Sequence, residues 1–141
     1  MKARGRGRGK RGRADYRVFV SHATADKWVA TVLCEKIEAI GAIAFRDDRD
    51  IAGGDDIPNE IFQAIAHSDE MVVLLTPASV NRPWVLLEIG AALARGAQMR
   101  IVALLEHVEI EPIPSMLKAK KVLNLNDFGR YLDEVAARIR G

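Results

Sequence analysis

Short runs of β-branched and apolar residues alternate along the chain with longer stretches whose apolar positions recur every three to four residues. Tyr16–Ser21 (YRVFVS) predicts a first strand. Asp26–Ile40 predicts an amphipathic helix with Val29, Leu33, Ile37 and Ile40 on one face and Gly41 as its stop. Ala42–Phe45 is a second, short strand, and Ile57–His67 a helix with Pro58 in its first turn. Met71–Thr76 is apolar without interruption until its last residue, the pattern of a strand buried on both faces, and Pro83–Arg95 is a nearly all-apolar helix. Arg100–Leu105 gives a fourth strand, Val122–Leu125 a fifth, and Asp127–Arg140 a closing helix capped by Asn126 or Asp127. Pro112 and Pro114 mark an irregular connection between the last two strands.

Strands that alternate with helices imply parallel pairing through right-handed crossovers, hence an α/β class. Five strands fit a flavodoxin-like three-layer fold, a parallel sheet in the order 2-1-3-4-5 with helices on both faces. At 141 residues, 49% of them hydrophobic and 28% charged, the chain has material for one folded domain and not for two. No run reaches the ~20 apolar residues of a membrane span, because Trp84–Ala94 is short and holds Glu88. No apolar stretch follows the first charges, so a secretory signal is not expected and the expected compartment is the cytoplasm. The single cysteine, Cys34, excludes an intrachain disulfide and a cysteine-based zinc site.

Charge changes the picture at the N-terminus. Lys2, Arg4, Arg6, Arg8, Lys10, Arg11 and Arg13 carry +7 of a net +2, which leaves −5 on the remainder. A stretch alternating Arg or Lys with Gly has nothing to bury, so residues 1–14 are expected to be a disordered basic tail and 15–141 the folded domain. The tail serves either as a nonspecific tether to nucleic acid or an anionic membrane, or as a solubilising leader. Its glycines make no dinucleotide fingerprint, since no strand precedes them.

In a sheet of this order, ligands bind at the carboxyl ends of the strands, at the switch point between strands one and three. The residues delivered there are Ser21, His22, Ala23 and Thr24, then Asp47 and Asp48, then Thr76, Pro77 and Ser79. A phosphoacceptor receiver would need an acidic cluster after strand one and an aspartate ending strand three, where this chain has Ser21-His22 and Thr76. A Walker phosphate loop is absent as well. Glu88 is the one charged residue between Pro83 and Ala94, one helical turn after Trp84 on the same face. A lone carboxylate in an apolar helix needs a partner such as Arg46, or lines a cleft, or sits on an exposed helix face.

Four stretches in order, YRVFVSHATAD (Tyr16–Asp26), FRDDRDIAGGDDI (Phe45–Ile57), IAHSDEMVVLLTP (Ile65–Pro77) and WVLLE (Trp84–Glu88), resemble the successive motifs of the TIR (Toll/interleukin-1 receptor) domain family. The resemblance runs from about Asp15 to Leu105 and implies the fold already argued, with Arg46–Asp56 as the family's BB loop. It implies one of two activities, cleavage of NAD+ at the nicotinamide glycosidic bond or noncatalytic association between TIR domains for signalling. Under the first, Glu88 matches the catalytic glutamate that follows a tryptophan by four residues. Ser21, His22, Asp47 and Trp84 match substrate-binding positions. Three of them also have a plain structural alternative: Ser21 as a helix cap, His22 as an exposed loop residue, Trp84 as a packing residue. Ala23-Thr24 departs from members with basic residues there, which leaves Arg46 and Arg49 as the cations near a pyrophosphate.

No cofactor or metal is expected, NAD+ being substrate. His67, His107 and Cys34 read as structural. The resemblance further implies activation by self-association into a homo-oligomer or filament, with Arg49, Asp50, Ile51, Gly53 and Gly54 of the BB loop at the contact. It implies a bacterial effector of antiviral defence or host interference, a mostly monomeric and weakly active state in isolation, and other TIR domains as further partners. A nucleoside deoxyribosyltransferase-like enzyme is a third reading.

Overall fold

A computed structural model describes residues 16–47, 59–96, 99–108 and 121–141. The basic tail, the BB-loop residues Arg49, Asp50, Ile51, Gly53 and Gly54, and the connection holding Pro112 and Pro114 lie outside the described residues. The elements run β1 (Arg17–Ser21), α1 (Lys27–Ala39), β2 (Ile43–Arg46), α2 (Asn59–Ala66), β3 (Glu70–Leu75), α3 (Pro83–Leu93), β4 (Arg100–Leu105), β5 (Lys121–Asn124) and α4 (Phe128–Arg140). The five strands form one parallel sheet in the order β2-β1-β3-β4-β5, as the alternation of elements implies. Val18 lies opposite Glu70 and Ser21 opposite Val73, so β1 ends beside β3 at the switch point and β3 runs two residues further, to Leu75.

The two-residue period of the strands sorts the core into two layers. Val18, Val20, Val72, Leu74, Val102 and Leu104 face one way, against Leu33 and Ile37 of α1 and Phe128, Tyr131 and Val135 of α4. Phe19, Met71, Val73, Leu75, Ile101 and Ala103 face the other way, against Ile61 and Ile65 of α2 and Trp84, Val85 and Ile89 of α3. All six residues of β3 are buried, which is why its sequence is apolar almost without a break.

The predicted boundaries shift by a residue or two, since end residues are set by hydrogen bonding that apolar periodicity does not report. The buried stripe of α1 is Ala30, Leu33 and Ile37, with Val29 and Ile40 at its margin. Gly41 ends that helix at φ +102, a conformation in which a side chain would be strained. Asp127 is the N-cap of α4 but makes no side-chain cap bond; a 3-10 turn over Leu125–Asp127 leads the chain into the helix instead. No helix of the described residues is long and apolar enough to cross a membrane.

One charged group lies inside the sheet at its amino end. Glu70, the first residue of β3, is fully buried. Arg138 donates to both of its oxygens, Nε to Oε2 at 3.1 Å and Nη2 to Oε1 at 3.0 Å. The Tyr131 hydroxyl donates to Oε1 at 2.9 Å, and the Tyr16 hydroxyl donates to Oε2. Four donors replace the water that burial removes, and they tie β1, β3 and α4 together at a single carboxylate. Burial and the bond to Glu70 raise the Tyr16 hydroxyl to about 12. Its raised value means the protonated hydroxyl contributes stability that is complete below pH ~10 and lost as pH climbs through about 12.

Arg138→Ala is expected to lower stability by about 2–4 kcal/mol at pH 7, less than loss of a sole partner because both tyrosine hydroxyls still donate. The midpoint of urea unfolding measures it; a change under ~0.5 kcal/mol, the size of an ordinary surface substitution, would show that the network holds nothing.

Candidate active site

Three segments meet at the carboxyl end of β1. The last residue of β1 is Ser21 and His22 follows it, Asp47 follows the end of β2, and the first two turns of α3 deliver Trp84 and Glu88. Pro83 starts α3 at the position where a missing N–H costs nothing, and the four-residue spacing turns Trp84 and Glu88 to the same inward face. All five side chains are buried: His22 is 0% exposed, Ser21, Trp84 and Glu88 1%, and Asp47 5%. Every sequence-predicted site residue among the described residues is therefore at one end of one sheet, in a closed polar nest and not in an open cleft.

Hydrogen bonding fixes much of its geometry. The Ser21 hydroxyl donates to Glu88 Oε1 at 2.7 Å. The other carboxyl oxygen, Oε2, and the indole Nε1 of Trp84 are buried with no hydrogen-bond partner among the described residues. His22 Nδ1 lies 2.7 Å from the carbonyl oxygen of Ala23, which can only accept, so Nδ1 carries a proton. The imidazole meets the Trp84 ring edge to face, with centroids 6.2 Å apart. Ser21 is thus bonded to Glu88 and does not cap the following 3-10 turn, whose N-cap is Ala23. His22 is not an exposed loop residue, and Trp84 packs into the core formed with Phe19, Ile61 and Ile89. Arg46, the cation considered for Glu88, bonds instead to the Thr31 hydroxyl and, at 3.4 Å, to the Lys27 carbonyl on α1.

Electrostatics follows from that enclosure. Burial pushes the Glu88 carboxyl up to about 8, the Ser21 hydrogen bond pulls it down, and the negative charge of Asp47 pushes it up further. Glu88 is accordingly neutral in the closed state at pH 7, ready to ionise when a cation arrives or when a donor reaches Oε2.

Thr76 and Ser79, also delivered by the topology, are committed elsewhere. Thr76 Oγ1 donates to Asp26 Oδ2 at 2.6 Å, and Ser79 Oγ donates to the Leu74 carbonyl at 2.8 Å while accepting from the Thr76 N–H at 2.9 Å. This ties the turn after β3 to the start of α1 and braces the switch point without entering the nest. His67 Nδ1 bonds the Gln63 carbonyl at the end of α2, and Cys34 is half-buried on α1. His107 lines a separate open cleft of about 490 Å³ with Glu106, Asn124, Asn126 and Asp127, beyond the ends of β4 and β5 and away from Glu88. Among the described residues no cluster of three or more His, Cys, Asp or Glu is placed to hold a metal.

Comparison with known proteins agrees with this architecture. A family model described as TIR domain matches residues 18–139. The Stimulator of interferon genes protein of Magallana gigas is 24% identical over 129 residues, which are 88% of this chain and 31% of that protein, so the chain spans about a third of the curated relative's length. Among solved structures, the TIR domain of the Toll-related receptor TRR-2 from Hydra magnipapillata superposes with a TM-score of 0.67 at 21% identity, covering 88% of this chain and 98% of that one. A metazoan TIR-STING receptor from C. gigas gives 0.64 at 23% identity, over 89% and 40%. The CMP N-glycosidase BcmB of Clostridium botulinum gives 0.51 at 22%, over 84% and 97%. These relatives include metazoan proteins and do not bear out the bacterial source expected from the sequence.

The raised Glu88 value carries a stability consequence with a definite sign. The folded chain holds this proton more tightly than the unfolded one, so its contribution is complete below about 4.5 and is lost as pH rises through about 8. Glu88→Gln, uncharged at every pH, is expected to raise the melting temperature little at pH 5 and by several degrees at pH 8. Thermal unfolding at the two pH values checks this, and an equal shift at both would show that Glu88 is not held neutral.

Proposed function

The chain belongs to the TIR domain family, and from that premise we propose that it is an NAD+ nucleosidase that cleaves the bond between nicotinamide and ribose. The observation that carries this reading is Glu88, a carboxyl buried at the sheet's switch point with one neutral donor, one oxygen without a partner and a tryptophan one turn before it. That is an acid kept at a cost in stability, an arrangement concentrated at functional sites. In the same chain Glu70 shows the structural pattern, with four donors on two oxygens.

The chemistry suits a single carboxylate. The bond between ribose C1′ and the pyridinium nitrogen breaks, its electron pair leaves with nicotinamide and neutralises the ring, and positive charge develops on the ribosyl centre. Ionised Glu88 stabilises that charge in a water-poor site, where the interaction is strongest. A water then adds to C1′ and loses its proton, giving ADP-ribose; attack by an adenine nitrogen of the same molecule gives a cyclic product. No acid is needed for the leaving group, because the nicotinamide is already cationic. His22, Asp47 and Trp84 are assigned to the walls that hold the nicotinamide ribose. Cleavage of another N-glycosidic bond, that of CMP, on the fold of BcmB supports the architecture as a host for this reaction class.

Self-association is common in the family, and the closure of the nest gives it a role here. A substrate cannot reach a carboxyl that is 1% exposed, so turnover requires a rearrangement that assembly through the BB loop would supply. The same closure favours the second reading, a noncatalytic TIR-TIR interaction module in which Glu88 stays neutral. NAD+ and further copies of the chain are the proposed partners; the basic tail adds a contact with nucleic acid or an anionic membrane.

Nicotinamide release from NAD+ decides between the readings, measured on the dilute protein, on the concentrated or crowded protein, and on Glu88→Ala. Release is expected to rise with concentration and to fall by about 100-fold or more in the variant. Because the ionised form is the active one, kcat/KM is expected to climb with pH up to about 8. Full turnover by dilute monomer would refute the requirement for assembly, and absence of release under all conditions would favour the interaction module.

A further inference from the structure

Ser21 is the last residue of β1 and 1% exposed. A serine hydroxyl has one proton to donate, and Ser21 gives it to Glu88 Oε1 across 2.7 Å, between residues 67 positions apart in the chain. A ligand that took this proton for itself would strip Glu88 Oε1 of the donor that Ser21 supplies, at a carboxyl that is 1% exposed. The hydroxyl therefore does its work toward the carboxyl. Of the neighbouring groups, Trp84 lies one turn back on the same helix, His22 Nδ1 is bonded to the Ala23 carbonyl, and the negative charge of Asp47 acts on Glu88 in the direction opposite to the Ser21 hydrogen bond.

We propose that Ser21 is a positioning residue for Glu88, locking Oε1 so that Oε2 is the oxygen presented to a ligand. This replaces the substrate-binding role that family resemblance gives Ser21, and its kinetic half rests on the proposed NAD+ cleavage. The hydrogen bond stops rotation of the carboxyl about its terminal torsion, which is otherwise broad and nearly free. It also favours the charged form over the neutral one, so a single hydroxyl sets both the aim and the ionisation of the group. One consequence concerns the reaction itself. With Oε1 already accepting from Ser21 and Oε2 without a partner among the described residues, Oε2 is the oxygen with both lone pairs available to the sugar.

The test reads Glu88 directly. Protein labelled with 13C at the glutamate side-chain carboxyl is titrated by NMR between pH 5 and 10, with Glu88→Gln identifying the resonance by its loss. Ser21→Ala is expected to raise the titration midpoint by roughly one pH unit, the shift that follows from losing one hydrogen bond to a charged group, and Ser21→Thr to bring it back. An unmoved midpoint in Ser21→Ala overturns the proposal. On the enzyme, Ser21→Ala is expected to lower kcat at pH 7 about tenfold with KM held, and to move the pH profile by the same unit. A rise in KM with an unchanged profile would make Ser21 a direct contact and overturn the proposal by the second route. Because the titration uses no substrate, a shifted midpoint in a protein that releases no nicotinamide would uphold the positioning role and reject the cleavage.

Discussion

A parallel sheet covered by helices on both faces keeps bulk water out, so a carboxyl group inside it depends on the donors that the fold places around it. This constraint separates the two glutamates that are buried among the described residues. Glu70 opens β3 at the amino end of the sheet and has four donors, from Tyr16, Tyr131 and Arg138. Glu88 lies at the carboxyl end and among the described residues has one, from Ser21. The first arrangement is complete and holds elements together. The second is incomplete, and the energy it lacks is available to whatever supplies the missing partner.

The sheet's polarity explains why the two sit where they do. At the amino ends of parallel strands the chain arrives from helix C-termini, and here α4 lays Tyr131 and Arg138, seven residues and two turns apart, along one face toward Glu70. At the carboxyl ends of a doubly wound sheet the chain leaves neighbouring strands in opposite directions at the switch point, here between β1 and β3, and opens a crevice between the connections. Ser21 and His22 fall at that point because β1 ends at Ser21. The Asp26–Thr76 and Ser79–Leu74 hydrogen bonds then brace the turns around it, so the nest rests on strand ends and short turns, which hold an angle better than a long loop does.

Much of this was legible in the sequence, and what was not has physical reasons. The continuous apolar run of Met71–Leu75 announced a strand buried on both sides, and the alternation of elements with that run at the centre gave the order of the sheet. Glu88 stood out because a lone acid in an apolar helix has few explanations. Glu70 did not, since Asp69-Glu70 reads as the polar end of a turn, and its partners are more than fifty residues away on either side. The one retrospective signal is the spacing of Tyr131 and Arg138 on a helix face, which says that a polar group must meet them and does not say which. The Ser21–Glu88 bond was hidden for the same reason: it joins residues 67 apart, and sequence pattern reports local period and not long-range pairing.

The burial of Glu88 turns a question of chemistry into one of conformation. A carboxyl pushed up to about 8 by its surroundings is a poor anion at neutral pH, and stabilisation of a ribosyl cation needs an anion. Yet the same surroundings make the ionised form powerful once it exists, since the interior that penalises the charge also leaves its field unscreened. On the proposed NAD+ cleavage, a cationic pyridinium ring entering the nest would remove the penalty by supplying the opposite charge. Binding, ionisation and catalysis would then be a single coupled event, and a nest that stays closed until another copy of the chain rearranges it would keep the reactive form from appearing in the resting protein.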